Sequence, residues 1–107
     1  MIFDLKNVQF ESNKIIIEKK KLRHQISINN IWTMFYAKWS VKNYFSLAYT
    51  PSLSMGYLYI ATKEMHKMTE VIKIRIPFKD IGKLPKNIYK KIQFYDDGNF
   101  PNILKLK

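Results

Sequence analysis

Apolar positions along this chain keep two different spacings. From Phe3 to Phe78 they alternate with polar residues or gather in short blocks, whereas from Ile81 to Ile92 they return every three to four residues. Alternation places one set of side chains on one face of a strand, and the longer spacing places them along one side of a helix. The pattern therefore predicts a mostly β (α+β) domain with one short helix near its C-terminal end.

Within the alternating part, Phe3, Leu5 and Val8 to Phe10 read as extended, as do Lys14 to Glu18 with their three consecutive isoleucines. Glu11, Ser12 and Asn13 between them carry turn chemistry, and Asn tolerates a left-handed turn position, so the two runs predict a hairpin. A basic connection, KKKLRH, leads to a short strand at Ile26 and Ile28 that Asn29 and Asn30 interrupt. Residues 31–40 carry both spacings. Ile28, Ile31, Trp32, Phe35 and Trp39 fit a helix face, while Ile31, Thr33, Phe35, Ala37 and Trp39 fit one face of a strand. Aromatic and β-branched residues tilt that choice to strand. A second aromatic run, Tyr44 to Tyr49, also alternates, and TPSLSMG after it reads as a loop. YLYIAT and VIKIRIPF then read as strands of another hairpin joined by the polar KEMHKMTE, giving six or seven strands.

The handover to helix falls where Gly82 and Pro85 punctuate the chain, and proline is well tolerated in a helix's first turn. A helix starts near Leu84, and if its phase extends back to Lys79 it puts Ile81, Leu84, Ile88 and Ile92 on one side and Lys79, Lys83, Lys86 and Lys90 on the other. The apolar side suits the closing of a sheet. A tail from about residue 95 follows, with a turn at Asp97 and Gly98 and docking positions at Phe100, Ile103 and Leu104.

Composition narrows the picture. A chain of 107 residues with 47% hydrophobic and 15% aromatic residues is one folded domain, able to bury roughly two thirds of its unfolded surface. Without cysteine there is no disulfide scaffold, thiolate metal site or catalytic thiol. The N-terminus lacks the pattern of a signal peptide, and no window reaches the ~18 consecutive apolar residues of a membrane span. The cytoplasm is the expected compartment. The net charge is +11, carried by lysine; only Arg23 and Arg75 are arginine. Lysine is a compact point charge that attracts anions without reading them, and a lysine, isoleucine and asparagine excess also fits AT-rich coding.

Catalytic chemistry finds no pattern. His24 and His66 are the only histidines and have no metal-ligand spacing, three scattered glycines make no phosphate loop, and Asp96 and Asp97 beside Gly98 read as turn formers. No metal, cofactor or small-molecule substrate is expected, and a non-enzyme is the reading taken.

The phrases KIIIEKKKLRHQISINNI and IKIRIPFKDIGKLPKNIYKKI resemble the early strands and the last strand with capping helix of small bacterial pleckstrin-homology-like and GRAM-like domains. The resemblance implies an antiparallel barrel or sandwich of six to seven strands closed by one short C-terminal helix, and a binding or adaptor role without catalysis. It also gives the cluster Lys19, Lys20, Lys21 and Arg23 a role at anionic headgroups. At about 1 kcal/mol per basic residue, four charges supply on the order of 4 kcal/mol, which is millimolar binding. A second anionic-ligand candidate is Lys79, Lys83, Lys86 and Lys90, where four or five neutralised phosphates would give a salt slope near −4 on DNA. A third surface is aromatic: Trp32, Tyr36, Trp39 and Tyr44 could anchor a protein partner or a second copy of the chain. The leading expectation is a protein-binding module. Binding to an anionic membrane, which would make the protein peripheral there, or to nucleic acid is the alternative, and a small inhibitor or immunity-type protein that neutralises an acidic target is the third.

Overall fold

A computed structural model describes residues 2–38 and 55–96. The strands are β1 (Ile2–Asp4), β2 (Val8–Phe10), β3 (Lys14–Lys19), β4 (Leu22–Ser27), β5 (Ile31–Lys38), β6 (Gly56–Thr62), β7 (Ile72–Arg75) and β8 (Ile92–Asp96). Two single-turn helices, α1 (Phe78–Ile81) and α2 (Lys86–Tyr89), connect β7 to β8. The expected strand at Tyr44 to Tyr49, most of the TPSLSMG loop, and the tail positions Asp97, Gly98, Phe100, Ile103 and Leu104 lie outside the described residues.

The strands form two sheets. A three-stranded antiparallel sheet runs β2-β3-β4, and a five-stranded sheet runs β1-β7-β6-β5-β8. The central pairs β7-β6 and β6-β5 are antiparallel, whereas β1 joins β7 and β8 joins β5 in parallel. The molecule is mostly β, as the alternation predicts, but the described strands do not close into a barrel and are not all antiparallel. Through α1 and α2 the chain crosses from β7 past β6 and β5 to place β8 parallel to β5 at the sheet edge.

The hairpins β2-β3 and β6-β7 form where the alternation places them. The basic connection is instead part of a third hairpin, with Lys19 opposite Leu22 and only Lys20 and Lys21 at the tip. Positive φ is found there, at Lys20 (56°), and not at Asn13.

Strand wins over helix at residues 31–38, and the reason for the mixed spacing is visible. Pairing with β6 shifts register between Ile31 and Thr33. Ile31, Met34 and Tyr36 consequently share one face with the main core, while Trp32 and Phe35 pack on the other. An irregularity of one residue turns period two into a local step of three, which imitates a helix.

The single helix of the sequence reading is corrected to two turns. Pro85 has ψ 144° and stands outside the helix it precedes, and its ring disfavours helical geometry at Leu84. Ile92 is no longer helical; it opens β8 opposite Met34.

One cluster joins both sheets and the crossover. Ile15, Ile17 and Ile26 of the small sheet meet Met34, Leu58, Ile60 and Ile74 of the large one, and Ile81 and Ile88 close the same core from the helical turns. The other face of the large sheet carries a smaller cluster of Phe35, Ala61 and Val71.

Candidate protein-binding surface

The site grows from one buried ring. Tyr36 lies wholly inside, with its hydroxyl donating a 2.7 Å hydrogen bond to the Ile76 carbonyl. Gly56 makes room for it, since a Cβ there would stand 2.5 Å from both the Tyr36 Cζ and its oxygen. Burial, assisted by the nearby Asp80 carboxylate, pushes the Tyr36 phenol up to about 12. Tyr36 is thus removed from the interface set as a contact residue. It is a hydrogen-bonded core side chain with no surface to offer a partner.

Around Tyr36, however, three rings reach the surface. Phe78 opens α1 with its centroid 6.2 Å from that of Tyr36, and Phe94, directly opposite Tyr36 in the β5-β8 register, lies at 6.0 Å. Tyr89, the last residue of α2, packs 5.8 Å from Phe94. Phe78, Tyr89 and Phe94 retain 40%, 41% and 46% of their accessible surface, so Tyr89 and Phe94 form an exposed ring pair, with the exposed Phe78 joined to it through the buried Tyr36.

Sequence reasoning missed these three. Phe78 reads as the end of an alternating strand, and Phe94 falls beyond the expected helix. Tyr89 could have been found, because it follows the buried Ile88 by one residue and so stands about 100° around the helix from the core face.

Of the expected interface residues, Trp32 is half-buried against the cluster of Phe35, Ala61 and Val71. Trp39 and Tyr44 lie outside the described residues.

The lysines expected on one helix face are divided by the break between α1 and α2. Lys79 follows Phe78 on α1, and Lys83 pairs with Asp80 at 3.1 Å. Lys86 begins α2, and Lys90 follows it; all four are exposed. Lys90 and Lys91 line an open groove of about 300 Å³ with Ser12, Asn13, Ile28, Asn29 and Asn87. There the Asn87 side chain donates to the Ser12 carbonyl, 3.3 Å away, and fastens α2 to the β2-β3 turn.

The other basic cluster occupies the β3-β4 hairpin. Lys19, Lys20 and Lys21 are exposed, Arg23 forms a 3.4 Å ion pair with Glu18, and Leu22 among them is 43% exposed. On the outer face of the large sheet, Lys73 Nζ sits 5.4 Å and 5.3 Å from the ring centroids of Tyr57 and Tyr59, and Arg75 pairs with Asp4 at 3.7 Å.

Among the described residues, no group of three or more histidine, aspartate or glutamate side chains could hold a metal ion. His66 belongs to a turn in which the Glu70 carboxylate accepts the backbone N–H groups of His66 and Lys67. His24 stands half-buried on β4 opposite Ile17, not in a loop. No helix of the described residues is long and apolar enough to cross a membrane. Comparison with protein families, curated proteins and solved structures finds no match.

Proposed function

We propose that this chain is a non-enzymatic binding module that engages a protein partner through Phe78, Tyr89 and Phe94. The observation that carries the reading is a chain of exposed rings from different elements gathered at one buried tyrosine, with Phe78 and Phe94 against Tyr36 and Tyr89 against Phe94. Exposed aromatics of this kind supply large contact area at low conformational cost, and they dominate the energetics of protein interfaces. The positive field of a chain at +11 speeds encounter with an anionic partner without selecting it. An adaptor role without catalysis agrees with what the pleckstrin-homology-like resemblance implies, and the cytoplasm is the compartment that goes with it.

A photo-crosslinking amino acid in place of Tyr89, compared with one in place of the exposed Met68, tests the reading in cells that make the full chain. A discrete adduct at position 89 that is absent at 68 is expected, and it should weaken with Phe94→Ala. No adduct, or the same adducts from both positions, would overturn it.

A second reading rests on the β3-β4 hairpin, where an exposed Leu22 stands among Lys19, Lys20 and Lys21. An apolar tip within a basic ring suits a peripheral site on an anionic lipid surface. Sedimentation with vesicles containing phosphatidylserine tests it, and a pellet that Leu22→Ser and Lys21→Gln leave unchanged would exclude the hairpin.

A further inference from the structure

Resting on the reading of the aromatic patch as a protein-binding surface, we infer that its partner is an acidic segment whose apolar side chain covers Tyr89 and Phe94 while a carboxylate enters the neighbouring groove at Asn87, Lys90 and Lys91. The two features meet on α2. Tyr89 belongs to the patch, and the next two residues of the chain line the groove. Asn87 faces Ser12 and Tyr89 faces Phe94 from opposite sides of the helical turn, so a partner crosses over Lys90 and spans both with an apolar and an acidic side chain about three or four residues apart.

The groove's chemistry selects the charge. None of the described residues lining it is acidic, and it combines two ammonium groups with the side chains of Asn13, Asn29 and Asn87. An ionised carboxylate only accepts hydrogen bonds; ammonium and amide N–H groups are the donors it needs. A second copy of the chain is a poor occupant, because bringing two molecules of net charge +11 together opposes lysines to lysines.

Ring geometry separates a polypeptide from a nucleic acid. Bases need separate, open ring faces on which to stack. Here Tyr89 and Phe94 lean on each other at 54°, and Phe94 leans on Tyr36 at 60°, so ring faces are turned toward neighbouring rings. That arrangement offers a continuous apolar surface, better suited to an aliphatic or aromatic side chain. Both arginines, moreover, are engaged: Arg23 with Glu18 and Arg75 with Asp4.

Selection of random 14-residue displayed peptides on the full chain, followed by fluorescence polarisation with synthesised winners, tests the inference. Enriched peptides should place Asp or Glu about three or four residues from Leu, Phe or Trp. Their Glu→Gln analogues should bind about 10-fold more weakly in 50 mM salt, as two surface charge pairs imply. The double variant Lys90→Gln, Lys91→Gln should lose the same factor with the acidic peptide and nothing with the analogue. Phe94→Ala should weaken both, and circular dichroism reports whether each variant is folded. Peptides that depend on Phe94 but are neutral or basic would overturn the acidic partner and leave the ring surface standing. Absence of any Phe94-dependent peptide would overturn both. Oligothymidylate bound more tightly than every peptide, in a manner dependent on Tyr89 and Phe94, would overturn both in favour of nucleic acid.

Discussion

At the scale of single residues, Tyr36 and Gly56 form the strictest contact near the surface patch. Replacing Tyr36 with Phe removes the only polar atom of a fully buried ring and takes its hydrogen from the Ile76 carbonyl. A loss of about 1–3 kcal/mol is expected in urea unfolding. The same substitution has a pH signature. The phenol keeps its proton to about 12 in the folded chain, against an ordinary value near 10. The folded state holds the extra proton between those limits, so this contribution is complete below pH 10 and is lost as pH rises toward 12. The stability difference between wild type and Tyr36→Phe should shrink across that window, because the comparison isolates the phenol. A difference that stays constant from pH 9 to 12 would refute the assignment. Gly56→Ala acts on the same ring from the other side. Its Cβ would meet the Ala37 carbonyl at 2.8 Å as well as the tyrosine, and backbone has little freedom to retreat. A cost of about 3 kcal/mol, read as a lower urea midpoint, follows.

At the scale of elements, the β3-β4 hairpin turns on a residue poorly suited to its conformation. Lys20 holds φ at 56°, the left-handed region that costs an L-residue roughly 1–2 kcal/mol and that glycine adopts freely. Lys20→Gly relieves that strain but loosens the unfolded chain, leaving a net gain of about 0.5 kcal/mol. A urea midpoint that falls on substitution would contradict this account. The hairpin also marks where the sequence stops being legible. Ile15 to Ile17 and YLYIAT announce strands by apolar spacing alone, because each must bury one face. Nothing in KKKLRH announces that Arg23 and His24 are strand residues, since their pairing with Glu18 and Ile17 is backbone bonding that any side chain permits. The lysine stripe failed for a related reason. One helical phase does not run through Pro85, whose ψ of 144° separates α1 from α2. Phe78 and Phe94 are hidden by their distance along the chain from Tyr36, onto which the fold brings them.

At the scale of the whole molecule, the parallel pairs tie distant parts of the chain together. Ile2 stands opposite Lys73, and Met34 opposite Ile92, so the large sheet is complete only when both outer strands have been gathered from far along the sequence. The small sheet does not have a core of its own among the described residues; Ile15, Ile17 and Ile26 enter the cluster that Met34, Leu58, Ile60 and Ile74 line from the other side. Each sheet therefore depends on the other for the burial that offsets its ordering entropy. Ile17→Ala in β3 tests that dependence. The side chain is fully buried, and its truncation should cost about 2–4 kcal/mol by lost transfer energy and the cavity left behind. If the two sheets unfold as one cooperative unit, native-state hydrogen exchange should accelerate by the same factor at the slowest amides of β6 and β7 as at those of β3 and β4. Acceleration confined to the three-stranded sheet would show that the hairpins β2-β3 and β3-β4 open as a separate unit. The aromatic patch could then keep its shape while the small sheet frays, but the Asn87 bond that fixes α2 to the β2-β3 turn would be broken with it.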